Sequence, residues 1–215
     1  MPPQTIQIAL GIAFLILSLG VHEAAHAYVA DRCGDGTARE EGRLTLNPMA
    51  HIDPFMTIIL PLILYMTSGF IFGGARPVPV NPMRLRHPLR DMSLVALAGP
   101  ASNLVLALLF SVAWKSMVYW GGMPTSALAP RVMEMALTFN IILAIFNMIP
   151  IPPLDGSRVM AYLLPNHMRE SYVSLERFGL MIVLLLVMTG SLRMILGATL
   201  WPMVGLVDTL TGGAW

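Results

Sequence analysis

Apolar residues fall in long blocks along this chain, separated by short stretches that hold most of the charges. A membrane-crossing helix needs about 20 mostly apolar residues, and several blocks reach or approach that length. The first runs from Ile6 to about Ala30 and carries HEAAH near its C-terminal end. The second, Phe55 to Phe72, is interrupted by Pro61, and the third is Met92 to Trp114. The fourth runs from Val132 to about Ile149 and stops in a run of prolines. A fifth begins near Phe178, and Gly190-Ser191 and Arg193 divide it from Met194–Val207. That tail reads as one long tilted helix or as a hairpin of two short ones. The pattern predicts an all-α polytopic membrane protein with about 4–6 embedded helices. Residues 1–215 form one domain, with a core over 6–160 and C-terminal helical segments over 175–210.

Composition agrees. Of 215 residues, 56% are hydrophobic and 12% charged, against about a quarter charged in soluble domains. Mean hydropathy is +0.70. The net charge of +1 and the lack of a Lys/Arg-rich run with interleaved aromatics set nucleic acid aside as a partner. The single cysteine, Cys33, excludes an internal disulfide framework and a Cys-based metal site. The first thirty residues lack a basic n-region and lead straight into HEAAH, so they read as a retained helix rather than a cleaved signal.

Basic residues predict orientation, because cytoplasmic loops are enriched in Lys and Arg. Arg32, Arg39 and Arg43 follow the first block; Arg76, Arg84, Arg86 and Arg90 precede the third; Arg158, Arg169 and Arg177 follow the fourth. Only Lys115 and Arg131 lie between the third and fourth. The N-terminus is therefore expected outside and the Arg-bearing loops in the cytoplasm, in a cell membrane. Both flanks of 55–72 are basic, which favours a re-entrant or embedded segment over a simple crossing.

The candidate chemistry begins at His22-Glu23-Ala24-Ala25-His26. Residues four apart share one helix face, about 6 Å apart along the axis, so two imidazoles can bind one Zn²⁺ while the Glu reaches a water on the metal. Ionisable side chains in an apolar span are costly and functional by default; the plainer reading is a solvated helix end. A catalytic zinc takes three protein ligands and one water. Asp155, in Asn147-Met148-Ile149-Pro150-Ile151-Pro152-Pro153-Leu154-Asp155-Gly156, is the strongest third candidate. With the N-terminus outside, the first and fourth blocks end on the same side. The prolines halt the helix there, and Gly156 permits a tight turn. Asp-Gly alone is a common turn signal; the depth matched to HEAAH favours a ligand.

HEAAH and NMIPIPPLDG together resemble the site-2 proteases, zinc metalloproteases that cleave transmembrane helices within the membrane. GRLTLNPMAHIDP at 42–54, ARPVPVNP at 75–82 and ALAGPASN at 96–103 are similar to the compact bacterial branch without a PDZ domain. The resemblance covers about residues 20–160. It implies one zinc per chain on His22, His26 and Asp155, with Glu23 as general acid/base and a transmembrane-helix protein as substrate. Zinc would acidify a water and polarise the scissile carbonyl; Glu23 would take the proton and deliver it to the leaving amine.

Other polar residues are weighed beside this set. Asn147, two turns before Asp155, is a candidate oxyanion donor, equally readable as a helix-to-helix bond. For Asn103 and Asn140 the helix-to-helix reading is favoured. Residues 73–82 read as an extended or strand segment, because residues before proline avoid the helical region. The resemblance implies that this segment lies beside the active site and can pair with an unwound substrate; a plain connector is the alternative. His51, His87 and His167 read as loop histidines, and the 17 methionines as packing. A non-proteolytic zinc-binding membrane factor is the alternative function, opposed by the presence of Glu23, which zinc binding alone does not need. Transport is disfavoured by the lack of internal repeats.

Overall fold

The computed structural model describes residues 3–54, 59, 63, 66 and 74–213, with Pro3 and Gln4 in backbone only. The segment 55–72, expected to be re-entrant, therefore lies mostly outside the described residues. Three long helices form the centre: α1 (Pro3–Arg32), α2 (Pro88–Lys115) and α3 (Leu128–Asn147). α2 continues as a π-helical turn, Ser116–Trp120. Thr5–Arg32, Pro88–Trp120, Leu128–Asn147 and Asn166–Met188 are long and apolar enough to cross a membrane. Among the described residues there is no strand.

Contacts fix the directions of the central helices. Phe14 meets Phe110 edge to face at 5.4 Å, and His26 bonds to Val95, so α1 and α2 are antiparallel. Asn103 bonds to Asn140, and Ala107 packs on Leu137, so α3 is antiparallel to α2 and parallel to α1. HEAAH and the proline-rich exit of α3 consequently share one end of the bundle, the site end. Most of the apolar surface of these helices remains exposed, as lipid-facing helices require: Leu17, Val105, Leu109 and Val112 lie open. The buried core is a thin strip, Ala107, Leu137, Ile141 and Val207, with Phe110, Leu200 and Met203 against it.

Four shorter-range elements complete the site end and close the bundle. α4 (Asp155–Leu163) packs on α2, followed by α5 (Asn166–Val173), α6 (Gly179–Met188) and α7 (Ser191–Leu210). Of the two readings of the C-terminal tail, the structure takes the divided one, with two helices of unequal length. Gly190 breaks it at φ 75°, a left-handed conformation that glycine adopts without a Cβ penalty. Ten residues precede the break and twenty follow. At the site end, Leu192 of α7 packs with Ile149, Leu154 and Val183. At the far end, Asp208 of α7 pairs with Lys115 Nζ at 2.6 Å, and Thr211 bonds to Ser111 at 2.9 Å. α7 thus spans the height of the bundle, from the loop before Asp155 to the far end of α2.

Residues 74–80 are neither helical nor paired in a ladder, and a 3-10 turn, Pro82–Arg84, follows. The strand alternative for this stretch is therefore not formed among the described residues. His51 differs from the loop histidine expected. It closes a 3-10 turn, Pro48–His51, is buried, and donates from Nε2 to Thr45 O at 3.0 Å. Its own carbonyl accepts the Arg76 N–H at 2.7 Å. It is an internal post on which the 74–80 segment hangs.

Candidate metal and catalytic site

α1 delivers His22, Glu23 and His26 to the bundle interior at 4%, 9% and 8% exposure. The one-turn spacing brings His22 Nε2 to 3.0 Å from His26 Nε2. Asp155, the first residue of α4, presents Oδ2 at 3.3 Å from His22 Nε2 and 3.4 Å from His26 Nε2. The structure therefore brings together the three residues that the sequence pairs by depth. A tetrahedral zinc with bonds of about 2.0–2.1 Å has ligand atoms about 3.3 Å apart. The three observed separations bracket that edge. Asp155 Oδ2 is buried and accepts no hydrogen bond among the described residues, a costly state for a carboxylate oxygen unless a cation faces it. His26 Nδ1 lies 2.7 Å from Val95 O, a group that can only accept, so Nδ1 carries a proton, and in the neutral ring that a metal binds Nε2 offers its lone pair. The donor set of two imidazole nitrogens and one carboxylate oxygen fits zinc.

Two glycines make the cluster possible by size. A Cβ on Gly99 would lie within 3.0 Å of His26 Nε2 and of His22 Cε1 and Nε2. Only a residue without a side chain lets α2 pass this close. A Cβ on Gly156 would lie within 3.0 Å of Met148 O and Ile149 O. Gly156 is helical rather than left-handed, so its value is space for α4 against the end of α3, not the turn torsion expected from Asp-Gly.

Glu23 shares the helix but not the ligand cluster. Its Oε2 accepts the Val78 N–H at 3.0 Å. That amide belongs to the irregular segment 74–80, which is pinned along its length. Arg76 N–H donates to His51 O, Arg43 Nη2 reaches Pro77 O at 3.5 Å, and Asn81 N–H donates to Asp35 Oδ2 at 2.6 Å. Asp35 is fully buried and also accepts from Thr37 N–H and Oγ1. Burial would raise its carboxyl, but the bonds from Thr37 and Asn81 outweigh it and hold it below the usual range. The segment thus lies beside Glu23, which the sequence expected only through resemblance.

Asn147 ends α3 with its Nδ2 donating to Leu143 O at 3.0 Å, one turn back along its own helix. Asn103 and Asn140 do bond helix to helix, at 2.9 Å. Asn103 does more: its Oδ1 lies 2.6 Å from His22 Nδ1. Sequence reasoning missed Gly99, Asn103 and the Val78 amide as parts of the site. The available signal was the four-residue spacing of Gly99 and Asn103, which puts both on one face of α2.

Residues 115–190, which include Asp155, match the family model of peptidase family M50. The chain is 39% identical to "Putative zinc metalloprotease YwhC" of Bacillus subtilis, over 88% of this chain and 83% of that protein. It is 31% identical to "Putative zinc metalloprotease Rip2" of Mycolicibacterium smegmatis, over 85% of this chain and 68% of that one. It is 32% identical to "Putative zinc metalloprotease MJ0611" of Methanocaldococcus jannaschii, over 83% and 78%. No solved structure matches the chain significantly. Sequence, helix architecture and relatives agree that this chain belongs to peptidase family M50, the site-2 protease family of membrane zinc metalloproteases.

Proposed function

We propose that the protein hydrolyses peptide bonds within or next to transmembrane helices, using one zinc per chain held by His22, His26 and Asp155. The observation that carries this reading is the set of ligand separations, 3.0, 3.3 and 3.4 Å, beside a glutamate one residue from the first histidine. Zinc, when bound, supplies Lewis acidity to the scissile carbonyl and lowers the pKa of a water. Glu23 takes the proton from that water and returns it to the leaving amine. The Val78 N–H holds one Glu23 oxygen and leaves the other for this work. Asn147 is the proposed oxyanion donor: its amide has two N–H groups, and Leu143 O takes one. The backbone of 74–80 is proposed to pair with the unwound substrate segment.

Two features support an apolar substrate reached from the bilayer. An apolar cavity of about 590 Å³ lies between α2, α3 and α7, lined by Pro100, Leu104, Met148, Ile195, Thr199 and Met203. Pro100 adjoins Gly99, whose backbone passes close to His22 and His26, so the cavity wall and the site share one stretch of α2. The site end also carries the Arg-rich loops, consistent with a cytoplasmic active site and an outside N-terminus.

The test is cleavage of a panel of transmembrane-helix fusion proteins by purified, zinc-loaded protein. Wild type is expected to cut at least one fusion, and Glu23→Gln is expected to retain zinc and lose at least ~100-fold in rate, the lower range for a general acid/base. Zinc binding by wild type with no cleavage across the panel would favour the non-proteolytic zinc-binding alternative.

A further inference from the structure

A chain of buried side chains crosses the bundle from α1 through α3 and α2 and ends on a ligand histidine. Ser18, Asn140, Asn103 and His22 are 1%, 0%, 0% and 4% exposed. Ser18 Oγ donates to Phe14 O at 2.8 Å. Asn140 Nδ2 donates to Ala136 O at 2.8 Å and to Ser18 Oγ at 2.9 Å. Asn103 Nδ2 donates to Asn140 Oδ1 at 2.9 Å, and Asn103 Oδ1 faces His22 Nδ1 at 2.6 Å.

The direction of this chain is dictated by its ends. Phe14 O and Ala136 O are carbonyls and can only accept. Ser18 spends its one proton on Phe14 O, so it accepts from Asn140. Asn140 must therefore turn its nitrogen toward Ser18 and Ala136, and its oxygen toward Asn103. Asn103 must then offer its nitrogen to Asn140 and its oxygen to His22. Amide flips and imidazole tautomers are usually matters of assignment; here two backbone carbonyls leave a single consistent arrangement. His22 must carry its proton on Nδ1, which leaves the Nε2 lone pair pointing at His26 and Asp155.

We propose that Asn103 is a positioning residue for the zinc site, oriented by Asn140 and Ser18, which selects the metal-binding tautomer of His22. This rests on the zinc-site reading above. A ligand histidine needs an acceptor for its other nitrogen, and loss of such a partner typically costs 10–100-fold in metal affinity. Val95 O does this for His26. Asn103 does it for His22, but a side-chain amide can turn over, so it needs the two carbonyl-anchored residues behind it. Asn140 thus acts on the metal only through Asn103, and its effect must not add to that of Asn103.

Zinc affinity by chelator competition, on detergent-purified protein with apo-protein melting as the check on folding, tests this. Asn103→Leu is expected to lose about 10–100-fold in zinc affinity. Asn140→Leu is expected to lose less, and the double variant to match Asn103→Leu. In nitrogen-15 NMR of zinc-loaded wild type, His22 is expected to show a protonated, slowly exchanging Nδ1, and Asn103→Leu to speed that exchange. Two independent losses that multiply, unchanged affinity in Asn103→Leu, or a His22 protonated on Nε2 would each overturn the inference. If wild type binds zinc and Asn103→Leu binds equally well, only this inference falls. If wild type binds no zinc, the zinc-site reading falls first.

Discussion

At the scale of single residues, the site depends on what is missing at position 99 as much as on what is present at 22, 26 and 155. A methyl group at Gly99 would overlap both imidazoles, and neither ring can retreat. His26 is tied to Val95 O on the same helix as Gly99, and His22 to Asn103 four residues further along it. Gly99→Ala is therefore expected to force α2 away from α1. The expected cost is about 1–3 kcal/mol for overpacking, with at least ~10-fold weaker zinc binding, read by melting and by metal content after purification. Stoichiometric zinc in a Gly99→Ala protein that melts like wild type would refute the crowding argument. The candidate ligand set was legible in the sequence because HEAAH and the Asp155 motif have few other uses in an apolar span. Gly99 was not, since a glycine next to a proline reads locally as a helix irregularity. Only the neighbouring helix shows why it must be small.

At the scale of elements, the long apolar blocks translate directly into α1, α2 and α3, because hydrocarbon forces the backbone to satisfy its own hydrogen bonds. The C-terminal tail was ambiguous for a physical reason. Its apolar residues are compatible with one helix or two, and the outcome turns on Gly190 at φ 75° together with anchors supplied by other helices. α7 is held at one end by Leu192 in the cluster with Ile149 and Leu154, and at the other by the Lys115–Asp208 pair. Between those anchors Leu200, Met203 and Val207 pack toward α2 and α3, while Ile195, Ala198 and Thr199 line the apolar cavity. If substrate enters there, filling the cavity blocks turnover without touching the ligands. Ala198→Trp is expected to keep wild-type zinc content and to lower kcat/KM on a helix substrate by roughly 10-fold or more, about 1.4 kcal/mol. Equal cleavage by this variant and wild type would exclude the cavity as the route.

At the scale of the whole molecule, charge is distributed unequally between the two ends. Arg32, Arg39, Arg43, Arg76, Arg84, Arg86 and Arg90 flank the site ends of α1 and α2, while the far end has Lys115 and Arg131, and Lys115 is occupied by Asp208. The positive-inside rule then predicts a cytoplasmic site end. The chain carries its own probe, since Cys33 directly follows α1 at the site end and is partly exposed. A membrane-impermeant thiol reagent is expected to leave intact cells unlabelled and to label Cys33 in inverted vesicles. A Cys33→Ser, Ser126→Cys protein, with its thiol in the exposed α2–α3 connection, is expected to behave oppositely. Labelling of Cys33 in intact cells would reverse the orientation. The sequence by itself determined the membrane class, the three central helices and the residues able to bind metal, because hydrocarbon and zinc chemistry each accept few alternatives. Which groups hydrogen-bond to the side chains of this candidate site was decided by tertiary structure alone. The amide of Val78 reaches Glu23 from 55 residues away, and Asn103 reaches His22 from 81. Hydrogen-bond direction across such gaps exists only once three helices have packed.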